Sequence, residues 1–287
     1  MGTSSAIQRP RFIVGWKFLC YAFLILLSAL CIFPFYLLLV NATRMHADII
    51  RGFSPAPGTS FLQNLGGLLK DQNIPVLRGL VNSVFISTAC AFLTTYFSSM
   101  TAYGIYMYNF KARKAAYNFI MVVMMVPTQV AALGFIKMII DMNLLDTYWP
   151  LIVPAIASPV VFFFMLQYME SVLPYEIVES ARIDGSNEFF TFNRIVVPIL
   201  SPAVAVQAIF SFVGNWNNYF LPALIINSKN NKTIPIIIAQ LRSADYMKFD
   251  YGKVYIMIFI AIIPLLVVYL ALSRFIIRGV TMGSVKG

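Results

Sequence analysis

Charge is what this sequence lacks most. Only 11% of its 287 residues are Asp, Glu, Lys or Arg, against roughly 25% in soluble globular domains. So few charges cannot cover a water-exposed surface. Histidine is reduced to one residue, His46, and cysteine to three, Cys20, Cys31 and Cys90, all inside apolar segments. With no cysteine pair in a loop, free buried thiols are expected rather than a disulfide framework. His46 falls between apolar segments and reads as a surface residue, not a ligand. The chain carries no H-E-x-x-H, no G-x-S-x-G and no cysteine–histidine cluster, which argues against a membrane-embedded enzyme. It also has no Walker A loop: Gly252-Lys253 is followed by Val254 and lacks the upstream glycine. ATP hydrolysis by this chain is therefore not expected. No heptad array, low-complexity tract or convincing internal repeat is visible.

What is present is apolar and comes in blocks. Hydrophobic residues make up 60% of the chain and the mean hydropathy is +0.79. Several blocks approach the roughly 20 residues needed to cross a hydrocarbon core. Six candidate membrane helices lie at about 17–40, 78–106, 115–140, 149–169, 196–222 and 254–278. The first follows Arg9, Arg11 and Lys17, but it is too long for a signal-peptide core and reads as an uncleaved span. Prolines 127, 150, 154, 159, 198, 202, 222 and 264 interrupt or bound the later spans. Membrane helices tolerate proline when neighbours take up the freed carbonyls.

The net charge of +10 sits in short segments between these blocks, with no basic stretch interleaved with aromatics. Anionic lipid and the positive-inside rule account for it better than nucleic acid does. A basic N-terminal tail, the second-loop residues Lys111, Arg113 and Lys114, and Arg274, Arg278 and Lys286 place both termini in the cytoplasm. Acids lie in loops or at span ends. That argues against an ion-coupled secondary transporter of small polar solutes, the alternative reading, which would want acids inside the spans.

The fourth loop, 170–195, is acidic on the face where basic residues are usual: Glu170, Glu176, Glu179, Asp184 and Glu188. Its spacing predicts two short helices. Pro174 suits a first helical position. Ile177, Val178 and Ala181 share one face, and Glu179 can pair with Arg182 at i,i+3. Gly185 can end the first helix in the left-handed conformation, and Ser186 can cap the second. Pro198 marks entry into the fifth span. A helix–glycine–helix with one apolar stripe and one acidic face is built to dock on a protein rather than on anionic headgroups.

The run Glu179-Ser180-Ala181-Arg182-Ile183-Asp184-Gly185, followed by Ile195 and by Val197-Pro198, resembles the EAA signature of ABC importer permeases. The signature's spacing is kept; Ser180 stands where an alanine is usual and Val197 where a leucine is usual. Asn82-Ser83, Pro127, the segment 144–147, Phe212 with Trp216-Asn217, Thr233 with Pro235, and the tail 283–287 are similar to the second permease of maltose-type carbohydrate importers.

The resemblance implies an all-α integral membrane protein of the type I ABC importer permease fold. Six transmembrane helices would form one permease domain over 1–287, with its core at about 75–278 and its coupling loop at 174–198. A multi-pass chain in a prokaryotic inner membrane would pair with a second, homologous permease. Two cytoplasmic ATPase subunits would hold the ATP and magnesium, no cofactor resting on this chain. A periplasmic or extracellular solute-binding protein would deliver a carbohydrate. The coupling residues would be Glu179, Ser180, Ala181, Asp184, Gly185, Ile195 and Pro198. The loop 223–253 would face the binding protein, and the tail could reach the ATPases. The path candidates are polar residues at membrane depth: Gln129, Lys137, Gln207, Asn215, Asn217, Asn218, and Trp216 as a stacking surface for a sugar ring. Lys137 is expected to snorkel outward.

Overall fold

A computed structural model describes the backbone of residues 11–243 and 249–283 and the side chains of residues 17–243 and 249–273. Arg9, Lys248 and the tail 284–287, with its expected reach toward ATPases, lie outside these residues, as do the side chains of Arg11, Arg274 and Arg278. Every regular element among the described residues is helical: α1 (Arg11–Ala42), α2 (His46–Ile50), α3 (Phe61–Leu69), α4 (Val76–Met107), α5 (Arg113–Met124), α6 (Thr128–Asp141), α7 (Trp149–Ile152), α8 (Pro159–Val172), α9 (Tyr175–Ile183), α10 (Glu188–Thr191), α11 (Val197–Trp216), α12 (Phe220–Ile225), α13 (Ile234–Arg242) and α14 (Tyr251–Gly283).

Five stretches of described residues are long and apolar enough to span a membrane: Lys17–Ala42, Val76–Met107, Trp149–Val172, Glu188–Trp216 and Tyr251–Ser273. The sixth expected span, 115–140, is instead a bent pair, α5 and α6 meeting at 97°. Pro127 causes the break. It caps α6 in an extended conformation (φ −63°, ψ 126°), and its ring disfavours the helical conformation at the preceding residue. Proline acts again in the fourth span, where α7 passes through a 3-10 turn, Val153–Ile156, before α8 restarts at Pro159.

The fifth span begins earlier than expected. The predicted second loop helix is not a separate element but the first turn of that span. α10 runs through a π-helical turn, Phe192–Val196, directly into α11. Pro198 has no N–H and its ring crowds the carbonyl four residues back. The wider π turn lets the helix pass this point without stopping.

The chain divides into two compact units, residues 1–68 with 250–259 and residues 69–249 with 260–287. In the first, Arg44 is buried, and its guanidinium donates to the carbonyls of Asp48 (2.5 Å) and Gly52 (3.2 Å) and to the side chain of Asn41 (3.2 Å). Asn64 donates to the carbonyls of Ala42 and Arg44 at 3.0 and 2.9 Å. The Arg44 bonds satisfy carbonyls freed where α2 ends, and the Asn64 bonds carbonyls freed where α1 ends. His46, expected as a surface residue, is half-buried: its Nδ1 accepts the Tyr251 N–H at 3.0 Å and the two rings stack. Cys20 and Cys31 are exposed on α1, not in a core as expected, because residues 18–36 are exposed on every side and, Ser28 apart, carry no polar side chain other than the tyrosine hydroxyls, which suits lipid.

The second unit is organised around α4. Its buried face carries Ser83, Ser87, Thr94, Thr95, Ser98 and Ser99 among glycine and alanine. Small residues allow close approach of neighbouring helices where no hydrophobic force drives helices together in lipid. Carbonyls take up several of the hydroxyls: Thr95 donates to Ala91 (2.7 Å), Ser99 to Thr95 (2.6 Å) and Thr94 to Ala155 (2.8 Å). Cys90, buried as expected, faces the Leu151 carbonyl.

Asp146 ties together the loops at one end of this unit. Its carboxylate accepts the N–H groups of Asn227 and Ser228, both at 2.9 Å. Its own N–H donates to Ile225, and its carbonyl accepts from Asn231. Burial raises its pKa, but the donors of Ser228, Asn227 and Asn231 together outweigh this and hold the carboxyl below its usual range. A depressed carboxyl pKa stabilises the fold above the unfolded value of about 3.9, and that contribution is lost as pH falls through the lower folded value. Asp146 also has φ +59°, a conformation asparagine tolerates. Asp146→Asn should therefore lower the thermal midpoint at pH 7 and flatten its fall on acidification below about pH 5. A variant with the wild-type acid profile would remove Asp146 as the cause.

Candidate functional site

The chemistry-bearing residues gather in two places in the second unit. The first is the joint between α9 and α10. Pro174 occupies the cap position of α9 rather than its first turn (φ −68°, ψ 139°). α9 then packs Val178 into the core formed by Leu173, Phe192, Val196, Tyr103 and Tyr106, and Ala181 is also buried. Ile177, expected on that face, stays exposed, because it stands at the edge of the stripe. Tyr106 binds the site from α4: its hydroxyl donates to Leu173 O at 2.9 Å, Tyr175 donates back to Tyr106 O at 3.3 Å, and the rings stack at 4.5 Å.

Gly185 ends α9 as the spacing predicts. Its φ is +81°, its N–H donates to Arg182 O, and the Ser186 N–H reaches back to Ala181 O at 2.9 Å. This is the paired closure that lets a helix stop within one residue. Asn187, not Ser186, caps α10, accepting the Phe190 N–H at 2.8 Å. Ser186 is instead taken up by Thr191, 2.8 Å away.

The expected Glu179–Arg182 pair does not form. Arg182 turns inward, and its Nε donates to Glu188 Oε1 at 2.6 Å. The other carboxylate oxygen accepts the Tyr103 hydroxyl at 2.9 Å, and the Arg182 guanidinium lies 5.2 Å from the centroid of the Tyr108 ring. Pairing with Glu188 is the main cause raising the Arg182 pKa above its ordinary value. One cluster thus joins α9 (Arg182), the start of the fifth span (Glu188) and the second span (Tyr103). Position alone could not reveal it: Arg182 and Glu188 lie on opposite sides of the glycine joint, and Tyr103 is 85 residues from Glu188.

The outward face of the joint is concave. A groove of about 530 Å³ is lined by Ile177, Ser180, Ala181, Asp184, Gly185, Ser186, Asn187, Phe190 and Ile195. Five predicted coupling residues (Ser180, Ala181, Asp184, Gly185 and Ile195) meet in it. Glu179 is exposed on α9 outside the lining, and Pro198 lies away from the groove in the first turn of α11. Ile183 (86% exposed) and Phe189 are also exposed on α9 and α10, outside the lining.

The second place is a cavity of about 900 Å³ opening beside the α6 N-terminus and the broken fourth span. Among its lining residues are Thr94, Thr128, Phe135, Ser158, Gln207, Phe210, Ser211, Asn215 and Asn218. Of the predicted path residues, Gln207, Asn215 and Asn218 line it. Gln129, Lys137 and Asn217 are exposed and do not. Trp216 offers no free stacking face in this unit, because its ring is 2% exposed and stacks on Phe212 at 5.8 Å. The reason is register: Trp216 follows Phe212 by four residues and shares its inward face. Thr94, Ser158 and Ser211 were not anticipated, since a hydroxyl inside a span gives the same signal whether it packs or lines a path.

The chain matches the model of the binding-protein-dependent transport system inner membrane component over residues 94–282. It is 32% identical to the arabinooligosaccharides transport system permease protein AraQ of Bacillus subtilis, over 97% of this chain and 98% of the relative. It is also 32% identical to the lactose transport system permease protein LacG of Rhizobium radiobacter, over 93% and 95%. Among solved structures, a chain of a bacterial ABC transporter involved in alginate import superimposes with a TM-score of 0.79 at 17% identity, covering 94% of this chain and 99% of that one. That likeness carries the fold, an ABC importer permease architecture of helices with no strand among the described residues. A transport permease follows from the sequence match. The chain belongs to the family of binding-protein-dependent transport system inner membrane components.

Proposed function

We propose that the chain is one permease half of an ATP-driven carbohydrate importer. It pairs with a second, homologous permease and receives work from two cytoplasmic ATPase subunits, which bind the ATP and magnesium. A solute-binding protein on the outer face delivers the sugar. The observation that carries this reading is the joint at α9 and α10. A short amphipathic helix is closed by a left-handed glycine and fastened to two spans, and it presents outward a groove with Asp184 in its wall among small and apolar residues. Such an element moves as a rigid body with the spans it is fastened to, as ATPase closure requires. Glu179 and Asp184 supply charge for basic groups on the partner.

The proposed orientation puts α9 and both termini in the cytoplasm. The basic second loop supports it, since Tyr106 and Tyr175 bring that loop and α9 to the same end of the unit. The knot of loops at Asp146 then faces outward. The names of the relatives, with arabinooligosaccharides and lactose as cargo, support a saccharide. The cavity beside α6, with amide and hydroxyl groups along an apolar wall, suits a polyol without net charge.

The test is reconstitution of the full chain with its candidate partner permease, ATPase and binding protein. A stable complex is expected, with ATP turnover stimulated by the liganded binding protein and labelled sugar taken up. A cysteine at Ser180 should crosslink to the ATPase. Crosslinking to the binding protein instead would reverse the orientation, and uptake without any ATPase would sink the reading.

A further inference from the structure

A second concave site lies at the α9 end of the same unit, between the ends of α4, α5 and α8. It has a volume of about 660 Å³. Lys111, Arg113 and Lys114 line it together with Asn109, and Glu170 is the one acid in its wall. None of the three basic side chains makes an ion pair among the described residues. Arg113 reaches no closer than 3.5 Å to the Tyr106 carbonyl, while Glu170 is already engaged by Gln167 at 3.0 Å. Three cations against one acid, itself hydrogen-bonded, leave a net positive recess. The N-terminus of α5 opens beside it, and the methyl side chain of its cap residue, Ala112, cannot accept from the first-turn amides. The floor is apolar, with buried Ile105 and Leu166 beneath Tyr117 and Phe110.

Lys111 and Lys114 are exposed and Arg113 half-buried, so all three charges are open to an anion that enters the recess. The apolar floor continues into spans that lipid surrounds, and the basic rim sits where those spans end. We infer that this recess binds a phosphate ester, with the phosphate between Lys111, Arg113 and Lys114 and the attached apolar or glycerol moiety on the Ile105–Leu166 floor. Two sources carry that chemistry: the headgroup of an anionic phospholipid and a soluble phosphate from the aqueous side. The recess lies apart from the groove at Gly185 and from the cavity at Asn215, so it belongs to neither the coupling nor the path reading.

Native mass spectrometry of the full chain, released from mixed phosphatidylglycerol and phosphatidylcholine nanodiscs, separates the outcomes. The wild type should retain phosphatidylglycerol over phosphatidylcholine. K111Q/R113Q/K114Q should lose that preference, at about fivefold per basic residue and on the order of a hundredfold in all. Lys137→Gln, a basic residue outside the recess, should change nothing and controls for surface charge. A second arm uses phosphatidylcholine nanodiscs with millimolar inorganic phosphate and reads thermal protection. Protection lost in the triple variant, without phosphatidylglycerol retention, would assign the site to soluble phosphate. Equal phosphatidylglycerol retention by wild type and triple variant, with no phosphate protection, would overturn the inference. Neither readout depends on transport, so a failure here leaves the importer reading standing.

Discussion

Replacing Gly185 by proline is expected to bring solute uptake by the reconstituted importer down to background, while Gly185→Asn keeps most of it. The cause is conformational, not steric. Gly185 has φ +81°, and a Cβ placed there meets nothing within 4 Å. Any loss must therefore come from the left-handed backbone itself. An ordinary L-residue there costs about 1–2 kcal/mol, and asparagine less because its side chain tolerates this region. Proline fixes φ near −65° and removes the N–H that closes α9 on Arg182 O, so the helix cannot stop where it does. The expected order of uptake is Gly, then Asn, then Ala, with valine and proline at the bottom. ATP turnover should fall less than uptake, because the partner ATPases remain intact. An order that follows side-chain size instead would mean the groove, not the turn, is what Gly185 serves.

The second large effect is expected at Arg182 and Glu188. Arg182→Met leaves the Glu188 carboxylate facing Tyr103 without its cation, and Glu188→Gln leaves the guanidinium with a neutral partner. Hydrogen bonds to charged groups contribute about 1.5–3 kcal/mol. Both side chains are partly exposed, at 34% and 43%, so a coupling energy of about 1–2 kcal/mol is the reasonable expectation once water is allowed to screen the pair. The double variant should be no worse than the poorer single variant, both in thermal midpoint and in uptake per ATP hydrolysed. Coupling in uptake per ATP is the decisive reading, since a merely structural pair would shift the midpoint alone. Additive losses would show that the two residues act separately. Tyr103→Phe removes the bond to the second oxygen of Glu188 and should give a smaller loss of the same kind.

Much of this was legible from spacing. Gly185 sits where a helix must end, and the backbone there is left-handed. Val178 and Ala181 share a period and are both buried. The blocks that read as spans are helices, because a length of apolar sequence and the need to satisfy backbone groups inside lipid leave few alternatives. Where prolines cluster, the sequence marked the trouble but not its outcome. Pro127 bends a span by 97°, whereas Pro198 is absorbed by a π turn and the span runs on. The two differ in what surrounds them. Val196 and Leu200, flanking Pro198, are buried in a core that holds the helix together, while the residues around Pro127 are exposed and have no such support.

The scarcity of charge and the length of the apolar blocks determined by themselves that this chain folds in lipid as helices. The acidic, glycine-jointed loop determined where a partner is expected to press. Both are properties of neighbours in sequence, and periodicity and backbone chemistry are enough to read them. Only the tertiary structure decided which polar groups meet. Arg182 left Glu179 for Glu188, Trp216 turned away from the cavity that Asn215 and Asn218 enter, and Lys111, Arg113 and Lys114 came to line one recess with Leu166 and Glu170. Residues only a few positions apart are parted or joined by the faces they present to helices packed from elsewhere in the chain, as Glu188 does to Tyr103.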